Sequence, residues 1–242
     1  GSADTASSRK MRQALARVRT AYRAQPFRPP QFAGHSYPDA APALARYLDA
    51  FSEDDAQLAA WNGWSGRAIV APHIDYMRGG PVYARVWQRA RKAIEAADLI
   101  IIWGTDHRAG EASLTLSALP YATPYGILPS DQALVAALAA AIGPQDAFQH
   151  ELNHLQEHSI ELAAVWLHHV RRECCPVLPI LVGSFQHFTP NGHPSDDPRL
   201  ARFMRVLKEQ TAGRRVFSIA SVDLAHIGPA FDSDYLVDEA RR

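Results

Sequence analysis

Histidines and carboxylates recur at short spacings in this chain. His73 and Asp75 lie in Ala71-Pro72-His73-Ile74-Asp75-Tyr76, Asp106 and His107 in Trp103-Gly104-Thr105-Asp106-His107-Arg108, and Asp223 and His226 in Ser221-Val222-Asp223-Leu224-Ala225-His226. A further cluster runs from His150 to Glu161 and holds His154, Glu157, His158 and Glu161. Imidazole and carboxylate together suit iron, zinc, copper or manganese, and two histidines with one carboxylate and open positions is a pattern of non-haem iron. The sequence therefore predicts a site for one divalent metal ion.

Elements that would gather these residues can be read from apolar periodicity. Ala68–Ala71 and Leu99–Trp103 are apolar runs without alternation, the mark of strands buried on both faces, and so are Val177–Val182 and Val216–Ala220. Ser113–Ala118 adds a shorter strand. Helical spacing is expected over Asp39–Phe51, over Pro81–Ala97 after the opening Gly79-Gly80, over Ser130–Ile142, over Glu157–Val170 and over Pro198–Thr211. Strands alternating with helices predict an α/β fold with a largely parallel sheet covered on both faces. In such a sheet His73, Asp106, His107, Asp223 and His226 all follow strand ends on one edge, where open α/β proteins bind ligands. On a helix, His154, His158 and Glu161 would share a face and reach the same crevice.

Other histidines are expected to be structural. His168 and His169 sit late in a helix, where positive charge suits the dipole. His187 and His193 fall in a polar loop, and His35 in a turn. His150-Glu151-Leu152-Asn153-His154 spells H-E-x-x-H, and His154 to His158 spells the inverted form, each a zinc-peptidase motif that requires a regular helix. A downstream third histidine is lacking, since Ile160 holds the metzincin position, and zinc-dependent hydrolysis is the lesser alternative. No phosphate-binding glycine loop and no G-x-S-x-G elbow is present.

Composition narrows the partners. Lys plus Arg and Asp plus Glu are equal at 25 each, so no net field draws the chain to nucleic acid or to an anionic membrane, and a small-molecule substrate is expected. The longest apolar runs are far too short to span a bilayer. The first residues lack the apolar core of a secretory signal and Gly1-Ser2 resembles a tag remnant, so a cytoplasmic location is expected. Adjacent Cys174 and Cys175 are expected to pack at a strand start rather than to pair. Residues 1–30 form a basic N-terminal arm, with Arg9, Lys10, Arg12, Arg17, Arg19, Arg23 and Arg28 and no acid over 9–28, and residues 31–242 one domain.

The chain resembles the Memo family, whose prokaryotic members are called AmmeMemoRadiSam system protein B. The likeness rests on Ala33-Gly34-His35-Ser36-Tyr37-Pro38, Ala71 to Tyr76 with Gly79-Gly80, Trp103 to His107, Thr123-Pro124-Tyr125-Gly126, Glu157 to Glu161, Pro179 to Gly183 and Ser221 to Gly228, in that order. It implies a fold like that of the class III extradiol dioxygenases, with a metal crevice between sheet and loops. It also implies metal binding at His73 and His107, and His158 in the place of an acid/base histidine. The metal is expected to be iron, with copper or zinc as alternatives, and the activity oxidoreductase or dioxygenase-like. Where the family has two consecutive histidines this chain has His107-Arg108, and where animal members carry a cysteine ligand it has Ala225, so Asp223 or His226 is expected to substitute. Relatives continue beyond the position of Arg242.

The expected assignments are therefore His73, His107, Asp223 and His226 as metal ligands, and His158, Glu157 and His154 as proton-moving groups. Asp75, Tyr76, Asp106 and Arg108 are expected to face the substrate. Partner proteins of the radical-SAM system and homo-oligomerisation are left open, as is a non-catalytic binding role in which the fold is kept and the chemistry lost.

Overall fold

A computed structural model describes residues 6–52, 66–108, 114–184, 193–223 and 226–238. Ser113, His187 and Ala225, singled out above, lie outside the described residues. The chain begins with helix α1 (Ala6–Arg23) and α2 (Ala41–Asp49), followed by strand β1 (Ala68–Ala71), α3 (Tyr76–Ala96) and β2 (Leu99–Thr105). Then come β3 (Leu114–Leu116), β4 (Tyr121–Thr123), β5 (Gly126–Leu128), α4 (Gln132–Ile142), α5 (Pro144–Phe148) and α6 (Asn153–Gln156). Helix α7 (His158–Val170), β6 (Val177–Val182), α8 (Pro198–Gln210) and β7 (Val216–Ser221) complete the frame.

The central sheet runs β1-β7-β2-β6-β3. Its first four strands pair in parallel, and β3 joins β6 antiparallel at the edge. This is the mixed α/β architecture with a mostly parallel sheet that the apolar runs imply. Alternation along β2 divides the core. Ile100 and Ile102 pack with Trp87 and Ile94 of α3 and Val165 and Trp166 of α7. Leu99 and Ile101 pack on the other face with Leu134 and Leu138 of α4 and Phe203 and Leu207 of α8. Each such side chain, fully buried, contributes about 1.5–3 kcal/mol, so the sheet is fixed between two helical layers.

Several expectations need correction. Helix α3 begins at Tyr76 rather than Pro81, because the Asp75 carboxylate accepts the Arg78 backbone N–H and caps it. Gly79 and Gly80 lie inside that helix for want of room: a Cβ on Gly79 would meet Ile74 Cγ2 at 2.5 Å, and one on Gly80 the Phe51 ring at 2.4 Å. The chain between β3 and α4 forms a hairpin, β4 with β5, that short strands and weak alternation concealed. Arg28, counted with the basic arm, is wholly buried and paired with Glu161. As expected, Cys174 and Cys175 are free and pack against the core just before β6.

His168 and His169 are structural, but for a different reason from the helix dipole. Burial lowers the pKa of both and favours the neutral rings. His168 Nδ1 lies 2.7 Å from the Thr123 hydroxyl, and His169 Nδ1 lies 3.0 Å from the Tyr125 hydroxyl.

Candidate metal centre

β1, β7 and β2 are neighbours, so the residues that follow them emerge side by side at one edge of the sheet. His73 and Asp223 follow β1 and β7 by two residues each, and His107 follows β2 by two. The N-terminus of α7 brings His158 to the same place. It is fastened there by two hydrogen bonds: Ser159 Oγ donates to the Thr105 carbonyl at 2.9 Å, and Ser221 Oγ donates to the Ser159 carbonyl at 2.6 Å. Gly104 permits this approach, because a Cβ there would stand 2.4 Å from Ile160 Cγ1 and 2.7 Å from Ser159 Oγ.

His73, His107 and His158 each offer a ring nitrogen, all within 4.8 Å of one another. Their ring centroids are separated by 5.0 Å for His73 and His107, 5.3 Å for His73 and His158, and 4.9 Å for His107 and His158. Three imidazoles so placed can hold a cation. His73 is buried, whereas the side chains of His107 and His158 are 43% and 38% exposed, so solvent or a small molecule can approach.

Hydrogen bonds fix the protons on two of these rings. His73 Nδ1 lies 3.0 Å from the Ser221 carbonyl, which can only accept, so Nδ1 carries the proton. The other nitrogen, Nε2, stands 3.3 Å from Asp223 Oδ2. With a neutral ring that is a contact between two lone-pair bearers, and positive charge between them, from a proton or a metal, would relieve it. His107 Nδ1 lies 3.0 and 3.1 Å from the two oxygens of Glu157 and donates to that carboxylate, leaving Nε2 for a metal. His158 Nδ1 lies 3.3 Å from Glu157 Oε1.

Glu157 is thus shared by two of the rings. It also accepts the backbone N–H groups of His158 at 2.9 Å, Ser159 at 3.1 Å and His107 at 3.2 Å, so it is the N-cap of α7 and a strap to the end of β2. Burial alone would raise its pKa, but the backbone donors and the His107 imidazole outweigh that and hold it below the usual glutamate value. Burial lowers the pKa of His158, aided by the charges His107 and His73 would carry and opposed by Glu157. The neutral ring, which is the form that binds metal, is favoured.

A cavity of about 330 Å³ opens beside the rings. His73, His158, Asp75, Asp223 and His226 line it, with Phe32 and Phe231 as apolar wall. His226 is 3.5 Å from Asp223 through Nε2. Asp75 reaches this wall, although its carboxylate also caps α3.

Four other residues expected at the site do not line this cavity. His154 is fully buried, its Nδ1 2.6 Å from the Tyr121 hydroxyl and its Nε2 3.0 Å from the Thr115 carbonyl, so neither nitrogen is available for proton transfer to a substrate. Burial pushes its pKa down to about 4. Tyr76 is buried in the core and donates to the Leu162 carbonyl at 2.6 Å, out of reach of a ligand. Asp106 is buried beneath Asn153, whose Nδ2 donates to both of its oxygens at 3.0 Å. Arg108 is exposed, and its backbone N–H donates to Asp106 Oδ1 at 3.1 Å.

Neither peptidase motif is built. α6 ends at Gln156 and Glu157 is extended (φ −91°, ψ 130°), so His154 and His158 do not follow one another along a single helix. Glu151 is buried in an ion pair with Arg23.

The chain is similar to known proteins. The Memo-like protein family model matches residues 28–242. A MEMO1 family protein of Methanococcoides burtonii is 30% identical over 223 residues, 87% of this chain and 74% of the relative. Another from Aquifex aeolicus is 28% identical over 166 residues, 68% of this chain and 55% of the relative, and one from Methanosarcina barkeri is 27% identical over 163 residues, 66% and 55%. The chain therefore aligns with little more than half the length of the last two. The match starts at buried Arg28 and takes in every strand end that carries a site histidine, and on these grounds the chain belongs to the Memo family.

Proposed function

We propose that His73, His107 and His158 hold a single divalent metal ion, iron(II) in preference, and that the protein is an oxidoreductase acting on a small organic substrate. The observation that carries this reading is the convergence of the three ring nitrogens, with proton positions on His73 and His107 that leave each one lone pair for a metal. The donor set also bears on the choice of metal. Asp223 adds a hard oxygen beside His73, and the chain's cysteines, at 174 and 175, lie away from the histidines in sequence and fold, which disfavours copper(I).

Iron held there would supply Lewis-acid polarisation and one-electron redox chemistry. The chain's own residues have distinct tasks. Glu157 sets the orientation of His107 and His158, as carboxylates behind metal-binding histidines do. His158 serves as the third nitrogen donor rather than as the acid/base group. Asp223 and His226, on the cavity wall, are then the groups placed to exchange protons with a bound substrate, while Phe32 and Phe231 supply apolar contact.

A second reading is a zinc centre that polarises a substrate carbonyl, favoured by the all-imidazole triad, which is also a catalytic zinc donor set. An anaerobic titration with ferrous iron followed by air distinguishes the two. Saturation at one ion per chain and an oxygen-dependent change in absorbance are expected. Saturable zinc binding with no saturable iron binding would overturn the iron reading.

A further inference from the structure

At the edge of the sheet opposite the histidines, residues just ahead of two neighbouring strands come together. Arg67 directly precedes β1, Arg214 and Arg215 directly precede β7, and β1 pairs with β7. Lys92, from the last two turns of α3, closes the same space. Together they border a cavity of about 650 Å³, whose lining, among the described residues, includes these four cations and no acidic side chain. That volume lies within the range of small-molecule sites, about 300–1,000 Å³.

The charge is local. The chain as a whole has equal numbers of acids and bases, so four cations in one cavity wall depart from its average. Among the described residues, two acids pair with the arginines of this wall. Asp98 accepts from Arg215 Nη2 at 2.7 Å, and Asp131 accepts from Arg214 Nη1 at 2.7 Å. These pairs also restrain the two guanidiniums, reducing the entropy a ligand would otherwise have to overcome. Arg215 remains 70% exposed and Arg214 29% exposed, so donors remain available to a ligand. Guanidinium groups match phosphate oxygens in pairs of parallel hydrogen bonds. Ala93, Ala96 and Ala97 of the α3 end give the cavity a low apolar side, where an organic moiety can lie.

We propose that this cavity, bordered by Arg67, Lys92, Arg214 and Arg215, binds a small organic phosphate, separately from the histidine cluster. The two sites occupy opposite ends of the parallel strands, so a ligand here does not touch the metal.

Isothermal titration calorimetry of the full chain with inorganic pyrophosphate tests the proposal. Saturable binding at one site is expected, weakening as salt is added. Affinity should fall by about tenfold or more in the double variant Arg67→Gln, Lys92→Gln, whose substituted side chains are both at the surface, because charge-assisted contacts are lost. Binding should persist in His73→Ala. Absence of saturable heat, equal affinity in the double variant, or loss of binding in His73→Ala would each overturn it, the last by moving the anion to the histidines.

Discussion

The Glu157 carboxylate lies 3.0 Å from His107 Nδ1, and the same oxygen, Oε1, lies 3.3 Å from His158 Nδ1. One acid thus orients two rings whose centroids stand 4.9 Å apart while it caps the helix that carries one of them. Site and fold are joined at that residue, and removing its charge should separate the two roles. Glu157→Gln keeps one oxygen acceptor for the α7 cap but loses the anion, so metal affinity should drop by about 10- to 100-fold. A competition titration against a chromophoric chelator, with circular dichroism to verify folding, reads this. Unchanged affinity in a folded variant would remove Glu157 from the site.

Gly104 is a second point of contact between core and site. In Gly104→Ala the new methyl would collide with Ile160 and Ser159, and overpacking of this kind costs about 1–3 kcal/mol. Because both neighbours lie in the first turn of α7, His158 should move as well. Denaturant unfolding should show the loss of stability, and metal affinity should fall with it. A variant as stable as the parent would show that α7 does not press on β2.

Arg28 and Glu161 form a buried pair in which both side chains are essentially inaccessible. Glu161 also accepts from the Phe32 backbone N–H at 2.8 Å, the Gln31 backbone N–H at 3.0 Å and the Tyr37 hydroxyl, and Arg28 Nε donates to the His154 carbonyl at 2.8 Å. Removing one partner leaves the other charge buried, at a cost of about 3–5 kcal/mol. Arg28→Leu should therefore lower the urea midpoint sharply, while Arg28→Leu with Glu161→Leu should recover part of the loss. Additive losses would contradict the pairing.

His154 gives a pH signature. Its pKa falls on folding from 6.5 to about 4, mainly through burial, so the folded state binds fewer protons than the unfolded chain between those values. Its neutral form is compatible with the fold at full stability above pH 6.5, and stability is lost as pH falls from there toward 4. The loss amounts to roughly 3 kcal/mol. His154→Gln retains a donor and an acceptor without a titratable ring, and its unfolding free energy should fall less steeply over the same pH interval. Parallel pH profiles for the two proteins would refute this account of His154.

Much of this was legible in the residues. The apolar runs gave strands and parallel pairing because a strand buried on both faces has no alternation to hide it, as in Leu99 to Trp103. His73, His107, Asp223 and His226 were brought to one edge by the rule that parallel strands share their carboxyl ends. Other features depended on three-dimensional packing. Gly79-Gly80-Pro81 looked like a helix start, and only the nearness of Ile74 and Phe51 explains glycine inside α3. His154 read as a site residue because its helix was assumed continuous with that of His158. The extended Glu157 breaks it and sends the ring into the core, while its own side chain turns toward His107. Glutamate is not among the residue types that usually open a helix, so no local signal marked this break.

The central claim is that His73, His107 and His158 share one metal ion. Elemental analysis of untagged protein measures it most directly, comparing the parent chain with His73→Ala, His107→Ala and His158→Ala after equal exposure to metal. About one equivalent of metal in the parent and a large loss in each folded variant is the predicted result. Metal retained undiminished in all three variants, or none bound by the parent, would contradict it.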